Sequence, residues 1–461
     1  MSTQRGHHHV HLALTTTVKV KKGIIMMPLT SQSIRNLLEI KDPNINFFED
    51  SYFEFVDDVE ALIIPAVLTY TPEHCLLCGF GDQIVKYGFN VNLIMVPSSF
   101  YRAIYLRLRR QRFKCFSCGH TFDARTDYVR SNYQISEPLR QLILIESSRN
   151  QANTDIADRF HISDKTVQRV VDEEVTNHKK HTREWLPEHL SFDEFKSVGS
   201  LVSFIWADSN SHNIGEILYR RTSRHLARYF SGFSDSARRN VKTVSLDLNA
   251  GYINLVPQLF PNADIVVDRF HIIQMCTRAL NQIRVQVMKS LNQRDKKYRF
   301  MKQEWKQFLR PFNQLEMSTP KYHYSVGYYE TDLNLVTECL ELDEGFKAAY
   351  DTYQEILEAF HNKDTEALSQ ILKDYKVLHN KMDQPIKSFK KYKKQVLNAV
   401  ESPYSNGFIE GLIGRIKKIK NAAYGYRNWM NFRNRVYLEL LWLPNSRNKK
   451  AKEKTSIPIM V

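Results

Sequence analysis

The sequence predicts a multidomain α/β protein, and three observations carry that prediction. Two CxxC pairs stand in the first third of the chain. A helix-turn-helix spacing follows them. From residue 186 onward, short apolar runs alternate with helical periods, as in a layered sheet covered by helices. At 461 residues and 43% hydrophobic composition, the chain has material for several domains. The expected order is a tail over 1–29, a zinc-binding domain over 30–130 and a helix-turn-helix domain over 131–185. An α/β core over 186–275 comes next, then a mostly helical insertion over 276–395. The core resumes over 396–445, and a basic tail covers 446–461.

Charge narrows the function class. The chain carries a net charge of +15, which suits a polyanionic partner such as nucleic acid. The excess is not evenly spread: residues 411–461 hold 12 Lys and Arg against 2 acids. The ribbon "YRAIYLRLRRQRFK" (101–114) adds six basic residues and no acid, including Arg107, Arg109, Arg110 and Arg112. Both clusters are interleaved with aromatic residues, a pattern that favours nucleic-acid contact over a solvated shell. No run approaches 18 apolar residues, and no secretory apolar region opens the chain, so no membrane partner and a cytoplasmic location are expected. The first residues, with His7, His8, His9 and His11, show no trustworthy period and are given no function; Met26 or Met27 is an alternative start.

The cysteines come next. Cys75 and Cys78 form one CxxC pair, Cys115 and Cys118 the other, and each pair is followed by glycine. Two thiolates three positions apart reach one tetrahedral ion, and two such knuckles complete a four-cysteine zinc site. With no open coordination position, such a site is a folding element and not a catalyst. Gly79 and Gly119 are expected to turn backbone N–H groups toward sulfur. His74 and His120 read as bystanders, Cys276 and Cys339 as core residues.

Residues 136–150 open on a capping Ser136 and repeat apolar residues at Leu139, Leu142 and Ile143. "TDIADRFHISDKTVQRVVDEEV" (154–175) then gives one short helix, the turn His161-Ile162-Ser163, and a second helix capped by Ser163 with Val167, Val170 and Val171 inward. This is helix-turn-helix spacing. Lys165, Thr166, Gln168 and Arg169 would project from the start of the second helix, where base edges are reached.

After "WLPEHL" the period changes. "HLSFDEFK", "SLVSFIWADSN" and "IGEILYRR" read as successive strands, 223–240 as a helix, 241–249 as a strand ending at Asp247, "AGYINLVPQLF" as a helix, and 263–271 as a strand running into a loop. Antiparallel strands followed by β/α alternation predict a ribonuclease-H-like layer. In "LSFDEFKS" side chains alternate across the strand, so Asp193 and Glu194 face opposite ways. One acid is then near a core, where a carboxylate needs a pair or a metal. Asp193 and Asp247 would meet at one sheet edge, and a third acid would complete a site for two Mg²⁺ or Mn²⁺ ions, which take hard oxygen ligands. "SPYSNGFIEGLIGRIKKIKNAAYGYRNW" (402–429) supplies it. Pro403, Ser405 and Asn406 suit a helix start. Phe408, Ile409, Leu412, Ile416 and Ile419 form a buried stripe, with Glu410 off it. Arg415, Lys417, Lys418, Lys420 and Arg427 continue as a phosphate-contacting ridge.

Taken in order, the double CxxC, the helix-turn-helix, "LSFDEFKS", "VKTVSLDLNAGY", "FPNADIVVDRFHIIQ" and "YSNGFIEG" resemble the ISL3 family of bacterial DDE transposases over about residues 30–440. The resemblance implies a ribonuclease-H-like core using Asp193, Asp247 and Glu410, with a helical insertion before the glutamate. It implies binding of terminal inverted repeats, metal-dependent cleavage and strand transfer, and a homo-oligomer on double-stranded DNA at the nucleoid. It also implies an Asp-x-x-His element, here Asp268 to His271. Asp268 is then a rival to Asp247, and His271 a ligand-orienting or phosphate-contacting residue. The chain departs from the family pattern at Ile413-Gly414, where an Asn-rich stretch is expected, and at Lys420-Asn421, where a Lys-Arg pair is usual.

Overall fold

The computed structural model describes residues 31–47, 51–81, 83–99, 102–149, 151–178, 182–423 and 425–442. The expected tails over 1–29 and 446–461 lie outside these residues. The chain divides into two compact units, residues 1–143 with 159–161, and residues 144–158 with 162–461.

The first unit is a sheet behind a short helix, α1 (Ser31–Leu37). Its strands are β1 (Ile45–Phe47), β2 (Tyr52–Val56), β3 (Val59–Leu68), β4 (Ile84–Ser99), β5 (Arg102–Cys115) and β6 (Thr121–Asp123). The order is β1-β3-β5-β4, with β2 also on β3 and β6 on β5; only β3 and β5 run parallel. The basic ribbon is thus a central strand. Every second residue of its first half, Ile104, Leu106 and Leu108, enters a core with Ile64, Ala66 and Ile94.

Helix α2 (Glu137–Ser147) follows, then α3 (Asn153–Phe160) and α4 (Asp164–His178). Ser163 receives the Thr166 amide on its hydroxyl at 3.1 Å, the expected cap. His161 takes a positive φ of 54°, which turns the chain between α3 and α4. In α2, Leu139 and Ile143 are buried while Leu142 is 36% exposed, so its stripe is narrower than the sequence period implies.

The second unit holds a five-stranded sheet of β7 (His189–Lys196), β8 (Val202–Asp208), β9 (Ile214–Leu218), β10 (Thr243–Leu246) and β11 (Asp264–Val267), in the order β11-β10-β7-β8-β9. β7, β8 and β9 form an antiparallel meander, and β10 and β11 run parallel to β7. Gly215 is required in β9, because a Cβ there would stand 2.1 Å from the Trp206 ring. The stretch 223–240, expected as one helix, is two: α5 (Ser223–Phe230) and α6 (Asp235–Arg239). Ser234 caps the second by accepting the Ala237 amide. α7 (Ala250–Leu259) crosses from β10 to β11. Phe192, Phe204, Phe230, Val256 and Phe260 fill the layer between sheet and helices.

The expected loop after β11 is instead a helix start. Asp268 caps α8 (Arg269–Ser290), which runs on through the expected boundary at residue 275. α9 (Lys296–Gln303), a hairpin of β12 (Lys321–His323) and β13 (Tyr328–Glu330), α10 (Asp332–Leu340), α11 (Glu344–Asn362), α12 (Thr365–Asp374) and α13 (Asp383–Lys391) follow. Phe300, Phe308, Phe346, Ile356 and Phe389 form their core, and Cys276 and Cys339 are buried in it. α14 (Lys393–Glu401) returns to the sheet, where Asn398 Nδ2 donates to the Ile265 carbonyl at 2.9 Å. α15 (Gly407–Ala422) and α16 (Trp429–Tyr437) follow, and a short π-helical turn over Leu438–Trp442 ends the described residues. α16 is fixed to β9 through Glu216, which accepts from Tyr437 Oη at 2.6 Å and from Arg433 Nη2 at 2.9 Å.

Candidate active site

The register of three parallel strands positions three acids. Ser245 of β10 pairs with Ser191 of β7, and Leu246 pairs with Val267 of β11. Counting forward from those pairs, Asp193, Asp247 and Asp268 fall on one level across neighbouring strands. This is the carboxyl end of β10 and β11, where open α/β sheets place their sites. Alternation gives Asp193 the face of Ser191 and turns Glu194 to the other. There Glu194 accepts from Tyr252 Oη at 2.8 Å and from Arg221, which accounts for it as a structural acid.

Asp193 lies in a hostile setting for a charge. Burial pushes its carboxyl up to about 7, and the negative charges of Asp247, Glu410 and Glu194 act in the same direction. Asp247 is raised as well, by burial first and then by Asp268 and Glu194, while His271 opposes the shift. The His271 Nδ1 stands 3.8 Å from Asp247 Oδ2. Glu410 is exposed on α15, yet desolvation and the charges of Asp268 and Asp247 raise its carboxyl, with Lys417 pulling the other way. Asp193 on β7 therefore feels the charges of Asp247 and Glu410, and Glu410 on α15 feels those of Asp247 and Asp268. Their oxygens do not all come within 4.8 Å of one another, so the group stays open. Hard oxygen donors whose carboxyls are all raised fit divalent cations, whose charge would relieve the repulsion.

Asp268 differs from its neighbours. It is 1% exposed, its Oδ2 accepts the His271 amide at 3.3 Å, and its Oδ1 accepts the Asn406 amide at 3.2 Å. Both oxygens are engaged in holding helix starts. The stripe of α15 also differs from expectation. Ile409, Ile413, Ile416 and Ile419 are buried, whereas Phe408 and Leu412 are half-buried and Phe408 stacks on His212 at 4.4 Å.

In the first unit the four cysteines converge. Cys75 Sγ lies 3.7 Å from Cys118 Sγ, and Cys78 Sγ lies 3.7 Å from Cys115 Sγ. A tetrahedron with Zn–S bonds of about 2.3 Å has edges of about 3.8 Å, so the thiolates fit zinc. Gly79 and Gly119 take φ of 78° and 74°. Their amides donate to the carbonyls of Cys75 and Cys115 and not to sulfur. The Leu77 amide reaches Cys75 Sγ at 3.5 Å. The amides of Cys78 and Leu77 hold the Cys75 thiol below its ordinary value. His120 stacks on Phe122 and stays out of the cluster.

A family model of transposases, the ISL3 group of the DDE class, matches residues 190–436, from β7 to α16. The chain belongs to the ISL3 family of DDE transposases. It is 23% identical over 343 residues to the transposase for insertion sequence element IS1001 of Bordetella parapertussis, across 72% of this chain and 80% of that protein. It is also 30% identical over 108 residues to a Lactococcus lactis protein named as an ATP-dependent protease. That match spans 23% of this chain and 35% of the relative's length.

The expected DNA-facing residues of the transposase separate into two groups. Arg110 is buried at 7% exposure, so it supports the sheet instead of facing solvent. Arg107 is paired with Glu54 at 2.6 Å, and Arg112 lies 3.8 Å from Asp123. Arg109 lies exposed over the Phe89 ring at 4.9 Å. On α4, Lys165 and Arg169 are exposed. Thr166 shares a hydrogen bond with Ser163, and Gln168 is held between Asn153 at 3.0 Å and Asp172 at 2.7 Å. Arg415, Lys417, Lys418 and Arg427 are exposed, whereas Lys420 Nζ donates to the Lys196 carbonyl at 3.2 Å. Among the described residues, no helix is long and apolar enough to cross a membrane. The sequence reading missed Asn406 as more than a helix start. Its only signal was an asparagine directly before a glycine at the head of the glutamate helix.

Proposed function

We propose that this transposase binds the terminal inverted repeats of its own element, cuts at their ends and joins the freed 3′-hydroxyl to target DNA. The observation that carries the reading is the half-buried Asp193 at the level of Asp247 in the parallel register, with the charges of Asp247 and Glu410 acting on it. The sheet order, an antiparallel meander with two parallel strands added beside β7, supports a ribonuclease-H-like core. Asp193, Asp247 and Glu410 are the residues that would hold two Mg²⁺ or Mn²⁺ ions. When bound, such ions activate water and stabilise the leaving oxygen in an in-line phosphoryl displacement. Asp247 is preferred over Asp268, because Asp268 is buried and committed to two backbone amides. His271 orients the Asp247 carboxylate. Lys417 and Lys418 on α15 neutralise backbone phosphate next to the acids.

The four cysteines hold a structural zinc, and α3 with α4 forms a helix-turn-helix in which Lys165 and Arg169 approach DNA. Cutting two ends together calls for a homo-oligomer on DNA, in the cytoplasm at the nucleoid. The test is a cleavage and joining assay with Mg²⁺ or Mn²⁺ and DNA carrying the repeats that flank the gene. Wild type cuts and joins; Asp193→Asn, Asp247→Asn and Glu410→Gln bind the same DNA and do neither. Binding without cutting by wild type would favour a DNA-binding regulator, and cutting without joining a nuclease.

A further inference from the structure

The acids lie on separate stretches of chain, and one buried side chain ties those stretches together. Asn406 is 1% exposed. Its Nδ2 donates to the Phe192 carbonyl at 3.0 Å, the peptide that leads into Asp193. Its amide donates to Asp268 Oδ1 at 3.2 Å. Its carbonyl accepts the Glu410 amide at 3.0 Å, as the first turn of α15 forms. One residue therefore touches β7, the β11–α8 junction and the glutamate helix.

The usual reason for asparagine at this position does not apply. A helix-capping asparagine accepts an amide of its own first turn on its side chain. Asn406 makes no such bond, although it is the cap residue of α15. Its Oδ1 is buried and has no hydrogen-bond partner among the described residues. The side chain thus gives up the local cap and leaves an oxygen unsatisfied while it reaches 214 positions back to the sheet. That trade does not favour helix stability. It fixes how far the start of α15 stands from β7.

We infer that Asn406 is a positioning residue of the acid site: it sets the reach between Asp193 and Glu410, and through it the affinity for divalent cations. The inference rests on the reading of the acids given above. Side chains that orient a ligand set without touching the ion commonly govern affinity by about 10- to 100-fold. Without the Phe192 tether, α15 keeps its buried isoleucines but can slide along the sheet, and the open carboxylate group loses its fixed spacing.

The test is Mn²⁺ binding to the zinc-loaded full chain without DNA, by titration calorimetry, for wild type, Asp193→Asn, Asn406→Ala and Asn406→Ser. Serine can cap α15 but is too short to reach the Phe192 carbonyl, so it separates tethering from helix capping. Both Asn406 variants are expected to bind Mn²⁺ about tenfold or more weakly. They should stay folded and keep the wild-type zinc content and mobility shift of repeat DNA without added divalent metal. Cleavage by these variants should recover as Mn²⁺ is raised. Affinity within twofold of wild type in both variants, with Asp193→Asn abolishing binding, overturns the inference alone. Loss of folding in both variants assigns Asn406 a structural role and also overturns it. Mn²⁺ binding that survives Asp193→Asn overturns the reading of the acid site beneath it.

Discussion

The four cysteines and the three carboxylates are both candidate ligand sets, but they are built differently. The thiolates come from two tight knuckles, and the ligand atoms all lie within 4.8 Å before any ion is considered. Each knuckle is made by local bonds, with Gly79 and Gly119 supplying the left-handed turn. The carboxylates come from a mid-strand residue, a strand end and a helix more than 160 positions beyond either, and they remain spread. A closed soft-ligand site stabilises a small sheet, whereas an open hard-ligand site leaves room for a substrate phosphate. On the proposed reading, the first set serves folding and the second serves chemistry.

The sharpest way to break this contrast is to remove one thiolate. Cys75→Ser should abolish zinc binding and unfold the first unit, because a structural zinc of this type contributes on the order of 10 kcal/mol. Zinc content and limited proteolysis would show it, and a folded, protease-resistant variant would refute the folding role. The matching change in the second set should do the opposite. Asp193→Asn or Glu410→Gln should leave zinc content and repeat binding intact while cleavage falls by at least about a hundredfold, the scale for losing one group that stabilises developing charge.

The acid site should also strain the metal-free fold. Asp193 is raised to about 7 from an unfolded value near 3.8. The folded state then binds more protons than the unfolded state between those values, so stability falls as pH rises through that window. With zinc bound and no Mg²⁺ or Mn²⁺ added, Asp193→Asn should therefore be more stable than wild type at pH 8, by about 2 kcal/mol after allowing for partial hydration, and equal to it near pH 3. Denaturant midpoints at both pH values check this. The smallest effect concerns the basic ridge. Lys417→Ala should lower the salt dependence of repeat binding by about one phosphate contact, whereas Arg110→Met should leave it unchanged because Arg110 is buried.

Much of the site was legible because its chemistry leaves local marks. The CxxC-Gly pairs fix their own turn, so spacing alone located the thiolates. The split of 223–240 into two helices was less visible, since Ser234 caps the second helix by a bond that no periodicity reveals. The loop expected after β11 was a helix for a similar reason: Asp268, noted only as a rival ligand, is the cap of α8. The ribbon 101–114 misled through composition. A strand at the centre of a sheet turns alternate side chains inward, and Arg110 falls among them.

What the sequence decided alone was the spacing of the knuckles and most elements of the second sheet, because turn chemistry and side-chain period act over a few residues. Only the tertiary structure decided that Asp193, Asp247 and Asp268 share one level, that Asp268 is occupied by two amides, and that Asn406 joins Phe192 to the Glu410 helix. Those relations depend on parallel strand register and on a helix returning after a long insertion. Both are set by long-range hydrogen bonds and core packing, which no local pattern encodes.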